Sequence, residues 1–289
     1  MAPAAPPARR RLVGRALRQY RETLGYTLDD AARMLECDRS KVSRVETGQR
    51  GICGEDLREL LGEYGVGDAE AALLELLANP RAGRGWFRDY EQVLRGAWLD
   101  YLTLETAASR ISVYEAQRIP GLLQTPAYAR ALAEADPALK DDDARDTAVD
   151  AVLARQWAIL EPAQADVHLI IGQAALEQEV GSAAVMDGQL LALARYASDS
   201  QKVRVQVLPF DAGAHAAVGD SSLAILQFDQ APGTGLGLVH LGGIAGGVCL
   251  EGRDDLAAYL RAFERLSDRA ESPRRSAMRL RAKIGYPPS

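Results

Sequence analysis

Between Arg39 and Thr47 the chain sets cations and hydroxyls at a spacing that suits one side of a helix. At about 100° per residue, Ser40, Ser43, Arg44 and Thr47 share a side, Arg39 and Lys41 flank it, and Val42 and Val45 face away. Small hydroxyls allow close approach, and a guanidinium carries a rigid fork of donors. That combination suits the major groove of a duplex, where Arg44 can reach guanine O6 and N7 and the hydroxyls can take a base edge or a phosphate. Thr27 and Arg50 complete the candidate DNA-contacting set of Arg39, Ser40, Lys41, Ser43, Arg44 and Thr47.

These side chains need a helix held against other helices. Val13, Leu17, Tyr20 and Leu24 form an apolar stripe at helical spacing, with Arg21 falling inside it. Thr27 caps a short helix over Leu28–Leu35, with Asp29 and Asp30 in its first turn. Glu36 and Cys37 make a turn, Asp38 caps the next helix over Arg39–Thr47, and Gly48 suits the position just past its end. Glu46 points back toward the inner side. A cation on a buried stripe needs a carboxylate, so Arg21 and Glu46 are expected to pair across the contact between the first and third helices.

The run from Tyr26 to Leu35, with its small residue Ala32, and the run from Asp38 to Gly48, with its Ser43-Arg44-Val45-Glu46-Thr47-Gly48 ending, closely resemble the phage-repressor-like helix-turn-helix of the XRE class. The resemblance implies an all-α, five-helix, lambda-repressor-like domain. It places that class's Arg–Glu pair on Arg21 and Glu46 and its base-reading positions on Arg39, Ser40 and Arg44, with Ser43 nearby. Two positions depart from the pattern. Glu36 stands where the turn usually has glycine, and Leu28, at the start of the second helix, has no group that hydrogen-bonds DNA.

Charge is divided along the chain. The whole carries a net of −6, but residues 1–50 hold 11 Lys and Arg against 6 Asp and Glu, whereas residues 51–289 hold 23 against 34. One end therefore suits a polyanion and the rest does not. With 289 residues, 47% hydrophobic and 26% charged, the composition is that of a folded chain of one or two domains. No apolar run reaches the roughly eighteen residues of a membrane span, and Met1–Arg11 lacks the apolar stretch that follows the charges of a secretory signal. Three cysteines, Cys37, Cys53 and Cys249, without a CxxC pair, argue against a disulfide framework or a structural zinc site. A cytoplasmic protein without a cofactor is expected. Residues 1–9 read as a disordered Pro/Ala tail, 10–78 as the helix-turn-helix domain, 79–85 as a linker, and 86–289 as a larger mixed α/β domain, giving an α+β chain overall.

In the larger domain, Trp86–Ser109 reads as a long helix and Arg110–Arg118 as a strand. Thr125–Ala135, Asp142–Leu160 and Ala183–Ser198 read as helices; Asp166–Ile171, Lys202–Leu208, Ser221–Phe228 and Gly235–Leu241 as strands; and Asp254–Ala270 and Ser272–Ile284 as a terminal helix pair. Trp86 with Tyr101 and Leu104-Glu105, Ile119–Thr125 with Tyr128, Arg155-Gln156 and Leu208-Pro209-Phe210 resemble the C-terminal domain of actinobacterial XRE regulators of the WhiJ type. That resemblance implies a regulator whose gene often neighbours one for a small partner protein, in an antitoxin-like pairing.

Catalysis finds no constellation. His168 and His240 fall within strands, His215 lies in the Asp211–Gly219 loop, and no GxSxG, HExxH or phosphate-binding run occurs. Gly233, Gly235, Gly237, Gly242, Gly243, Gly246 and Gly247 fall within or between strands and read as hairpin and bulge glycines. Asp141–Asp143 reads as a helix N-terminal cluster, and Cys249 as core. The apolar Ile119–Thr125 loop either lines a pocket or closes the core over the sheet, the core reading being the stronger. The expectation is a non-enzymatic, sequence-specific transcription regulator. Its partner is double-stranded DNA, and its larger domain senses a small-molecule effector or a partner protein and supports a homodimer. The alternative is an antitoxin-like protein that mainly binds a small neighbour-encoded partner and uses DNA binding for autoregulation.

Overall fold

The computed structural model describes residues 6–79, 86–94, 97–161, 165–228, 235–243 and 247–284. Five helices come first: α1 (Ala8–Thr23), α2 (Leu28–Met34), α3 (Arg39–Glu46), α4 (Gly54–Glu63) and α5 (Asp68–Ala78). α2 starts where it does because Thr27 and Asp30 cap each other. The Thr27 hydroxyl accepts from the Asp30 N–H, and the Asp30 carboxylate accepts from the Thr27 N–H. α1 buries Leu12, Val13, Ala16 and Leu17 against its neighbours. It approaches α3 backbone to backbone at Gly14, where a Cβ would come within 2.7 Å of the Glu46 carbonyl oxygen and closer still to that of Val45. Leu73, Leu74 and Leu77 of α5 close the small core.

Two expectations change here. The expected tail does not extend to residue 9, because Ala8 and Arg9 are buried in the first turn of α1. Leu24 is 47% exposed, since α1 ends at Thr23 and the chain turns away from the core. Residues 1–5 and 80–85, which hold the rest of the expected tail and nearly all of the expected linker, lie outside the described residues.

The larger part contains the helices α6 (Ala97–Glu105), α7 (Pro126–Ala135), α8 (Asp142–Leu160), α9 (Ala174–Glu177), α10 (Ala183–Asp199), α11 (Arg253–Arg269) and α12 (Pro273–Lys283). Its strands are β1 (Arg110–Glu115), β2 (Asp166–Gly172), β3 (Val203–Leu208), β4 (Ser222–Gln227), β5 (Gly237–Leu241) and β6 (Val248–Leu250), in the sheet order β3-β2-β1-β4-β5-β6. The three strands β1, β2 and β3 pair in parallel, and the pairs from β1 through β4 and β5 to β6 are antiparallel. Parallel neighbours need crossovers, which α7 and α8 supply between β1 and β2, and α9 and α10 between β2 and β3.

Side chains alternate between two cores. Ile111, Val113, Leu169 and Val205 join the main core, while Tyr114, Ile170, Leu223 and Ile225 pack with Phe263 and Leu266 of α11 on the other face. The β3 edge is covered by the corner between α11 and α12. Val207 donates its N–H to the Ser276 hydroxyl (2.9 Å) and accepts at its carbonyl from the Glu271 N–H (2.9 Å).

Trp86–Ser109 is not one helix. Arg88–Tyr90 is a single 3-10 turn and α6 begins only at Ala97. Gly96 precedes it in the sequence, and a glycine inside a helix costs about 1 kcal/mol. β1 stops at Glu115 rather than Arg118: the chain bends over 116–118, and Arg118 turns back to pair with the Glu115 carboxylate. The short β6 was not expected; three residues carry too little alternation to read. Gly235, Gly237, Gly242, Gly243 and Gly247 lie at the strand connections, while Gly233 and Gly246 lie outside the described residues. Among the described residues no helix is long and apolar enough to cross a membrane. The two parts meet where α1 packs on α6 and Arg11 donates through Nε to Glu251, just past β6 (3.0 Å).

Candidate nucleic-acid interface

α3 is seated by Val42 and Val45, both buried. On its opposite side Arg39, Ser40, Arg44 and Thr47 are exposed and Ser43 is half-buried. Arg44 lies along the helix, its Nε donating to the Ser40 carbonyl (3.1 Å), and the Thr47 hydroxyl donates to the Ser43 carbonyl (2.9 Å). The chain then bends back, so that the Arg50 N–H reaches the Arg44 carbonyl (2.9 Å) and Arg50, itself exposed, is held close to the end of α3.

Two members of the set are occupied differently. Lys41 Nζ sits 2.6 Å from Asp56 of α4, a hydrogen bond that raises the ammonium's pKa and braces α3 against α4. Thr27 is exposed, but its hydroxyl donates to Asp30 (2.6 Å) within the cap of α2. Other cations of the first fifty residues are matched by carboxylates as well: Arg18 by Glu22, Arg33 by Asp30, and Arg11 by Glu251. Arg39, Arg44 and Arg50 are the exposed cations at α3 itself.

Arg21 and Glu46 stand directly behind this face. Arg21 donates through Nε and Nη2 to the two carboxylate oxygens, at 2.6 and 2.9 Å, and through Nη1 to the Tyr26 carbonyl, at 2.8 Å. The side chains are only 8% and 6% exposed. The bond to Glu46 raises the pKa of Arg21 against the opposing effect of burial. Nearby, burial pushes the Tyr64 phenol up to about 12. The turn between α2 and α3 passes through the left-handed region at Glu36 (φ 45°), the one described residue other than glycine to do so.

In the larger part the residues singled out by sequence converge. Glu105 accepts from Nε and Nη2 of Arg155 (2.7 Å each) and from the Tyr101 hydroxyl (2.8 Å). Burial opposes the charge on Arg155, but attraction to Glu105 outweighs it and raises the pKa. The same guanidinium lies 5.0 Å from the Trp98 ring centroid. The Ile119–Thr125 backbone is clamped by four side chains. Ile119 donates to the Tyr128 hydroxyl (3.2 Å) and accepts from Gln124 (2.8 Å). Gln156 donates to the Gly121 and Gln124 carbonyls, and Gln189 bridges the Thr125 N–H and the Leu123 carbonyl. Trp98, Gln189 and Glu251 were missed by sequence reading. The one signal for Gln189 is a polar residue on a face of α10 otherwise rich in Leu and Ala.

The histidines lie apart. His168 on β2 meets Gln206 (2.7 Å) and the edge of Phe263, and burial lowers its pKa to about 4. His215 sits edge-on to Tyr114, with a pKa lowered by burial. His240 is buried beside Trp98 and Tyr101. Among the described residues no three His, Cys, Asp or Glu are grouped to hold a metal. Cys249 is half-buried in β6, and Asp141 caps α8 through the Ala144 N–H (2.8 Å).

Residues 12–74 match a helix-turn-helix domain family, in register with α1 through most of α5. No curated protein and no solved structure matches the chain. Residues 98–282, more than half the length, match the family described as a domain of unknown function, DUF5753. The chain belongs to the DUF5753 family and carries a helix-turn-helix domain at its amino end.

Proposed function

We propose that the protein is a sequence-specific DNA-binding transcription regulator of the XRE type. α3 enters the major groove, and the larger domain senses a ligand or partner protein and joins two copies. The observation that carries this reading is the outward side of α3. Arg39, Ser40 and Arg44 are exposed on a helix whose other side is fixed by two buried valines and whose flank is braced by Lys41 and Asp56. A symmetric dimer would set two such helices about 34 Å apart, one turn of duplex, on a pseudo-palindromic site.

The test is recovery of bound fragments from fragmented genomic DNA with the purified protein. A shared motif is expected, with log affinity falling linearly as log salt rises. Binding without sequence preference at physiological salt would overturn the reading. Arg44→Ala should cost about 1–3 kcal/mol at one base position. An equal loss on every sequence would make Arg44 a phosphate contact instead.

A second reading, the antitoxin-like one, draws on Trp157, a large aromatic of α8 that is 69% exposed. Stoichiometric co-purification with a co-expressed, neighbour-encoded small protein, lost in Trp157→Ala, would favour it.

A further inference from the structure

A cavity of about 350 Å³ lies between the sheet and the α7–α8 pair. That volume falls at the lower end of the range for small-molecule sites, about 300–1,000 Å³. One wall is aromatic. Trp98 stacks on Tyr101, ring centroids 4.8 Å apart and planes 11° apart, and His240 of β5 lies 5.5 Å from the first ring and 4.8 Å from the second. The facing wall is small and aliphatic, with Ala133 of α7 and Ala148 and Val152 of α8. Larger side chains there would have filled the space, as protein interiors ordinarily do.

The ions deep in this cavity are already matched, and the exposed carboxylate of Asp136, which accepts from the Ala138 N–H, stands only at its mouth. Arg155 is held at two points by Glu105. Arg118, at the exposed mouth beside Asp136, is held by Glu115, which also accepts from the Ser222 hydroxyl (2.9 Å). A charge carried deep into the cavity would have to displace one of these partners or stay unpaired, whereas Arg118, 55% exposed, and Asp136 meet ions only at the mouth. An adjoining recess of about 410 Å³ shares Trp98, Arg155 and His240 and is lined by Trp86, whose indole N–H is buried without an acceptor among the described residues. That donor suits a carbonyl or hydroxyl oxygen.

We propose that this cavity is the effector site and that it takes a small, uncharged, flat aromatic molecule with an oxygen acceptor at its rim. The inference rests on reading the larger domain as a sensor. It gives that reading a route to the DNA-binding end, because Trp98 and Tyr101 belong to α6, the helix that packs against α1.

The experiment is calorimetric titration of the full chain, without DNA, with 2-naphthol, coumarin and 4-methylumbelliferone. Decahydro-2-naphthol serves as the saturated control and 4-methylumbelliferyl phosphate as the charged one. Saturable one-to-one binding of at least one aromatic is expected, about tenfold or more tighter than either control. Ala148→Trp should abolish it, and Ala133→Leu, a smaller filling of the same space, should weaken it about tenfold. The far-ultraviolet spectrum and melting point of each variant report its folding, and Ala133→Leu decides if Ala148→Trp does not fold. The proposal is overturned if no aromatic saturates up to about 1 mM, if a control binds as tightly, or if a folded filled variant binds like the parent. None of these outcomes depends on whether α3 reads DNA, so a failure here is distinct from a failure of the genomic recovery.

Discussion

Two arginine–glutamate pairs of nearly the same make sit in the two parts of the molecule. Arg21–Glu46 and Arg155–Glu105 are each held at two points, and each exposes little of either side chain, 8% and 6% in the first, 11% and 0% in the second. Their surroundings differ. The first spans the α1–α3 contact, donates from Nη1 to the Tyr26 carbonyl, and has the Glu22 carboxylate 3.5 Å from Nη2. The second has a hydroxyl, an indole face and a cavity beside it. A matched charge pair is therefore a fastening in one place and a wall in the other. What lies next to the pair decides which, more than its geometry does.

The largest expected effect breaks the fastening. Arg21→Ala should lower stability by about 3–5 kcal/mol in urea unfolding, because the buried Glu46 carboxylate loses its cation, and Glu46→Ala should cost less, because Glu22 still lies 3.5 Å from the Arg21 guanidinium. The joint change Arg21→Met with Glu46→Leu should recover stability to within about 1 kcal/mol of the parent. An Arg21→Ala loss below about 1 kcal/mol would show that the pair fastens nothing.

A second effect separates the two parts by pH. All three histidines lie beyond residue 160, so mild acid should soften the larger part first. His168 has a folded pKa of about 4, below the ordinary value of 6.5. Its contribution is present above pH 6.5 and is lost as the pH falls toward 4, since the unfolded chain takes up the proton first. Between pH 7 and pH 5 the loss should be about 2 kcal/mol. Urea midpoints across that range should flatten in His168→Gln. An unchanged slope would mean that the ring is not kept neutral by its setting.

The smallest effect concerns the turn before α3. Glu36→Gly removes the left-handed penalty of a side-chain-bearing residue, about 1–2 kcal/mol, and adds chain entropy to the unfolded state. A net gain of about 0.5–1 kcal/mol is expected in the melting of the helical part. A loss would show that the Glu36 side chain makes a compensating contact.

The small domain was legible because its signals are local. Thr27 and Gly48 bound α2 and α3 to within a residue, since a cap acts on the turn beside it; Asp38 stands at the N-cap position of α3, but its side chain makes no capping hydrogen bond there. α8 likewise begins at Asp142, where Asp141 caps it. What the pattern hid came from contacts between distant residues. Lys41 reads as a cation of the outward face until α4 brings Asp56 to it. Arg11 reads as one more positive charge until the β6 segment brings Glu251. The long helix expected over Trp86–Ser109 failed because helical periodicity persists across a break. The aromatic cluster of Trp98, Tyr101 and His240 joins residues on α6 and on a strand far along the chain, a pairing that no spacing rule anticipates.

In the dimer proposed above, the contact of Arg11 with Glu251, together with the seat of α1 on α6, would bear on how far apart the two copies hold their α3 helices. A head on a loose tether finds half-sites over a spread of separations. A head bolted to the body offers one separation, so the spacing it tolerates is set by rigid geometry. Inserting or deleting a single base pair between half-sites would then matter as much as changing a base within one.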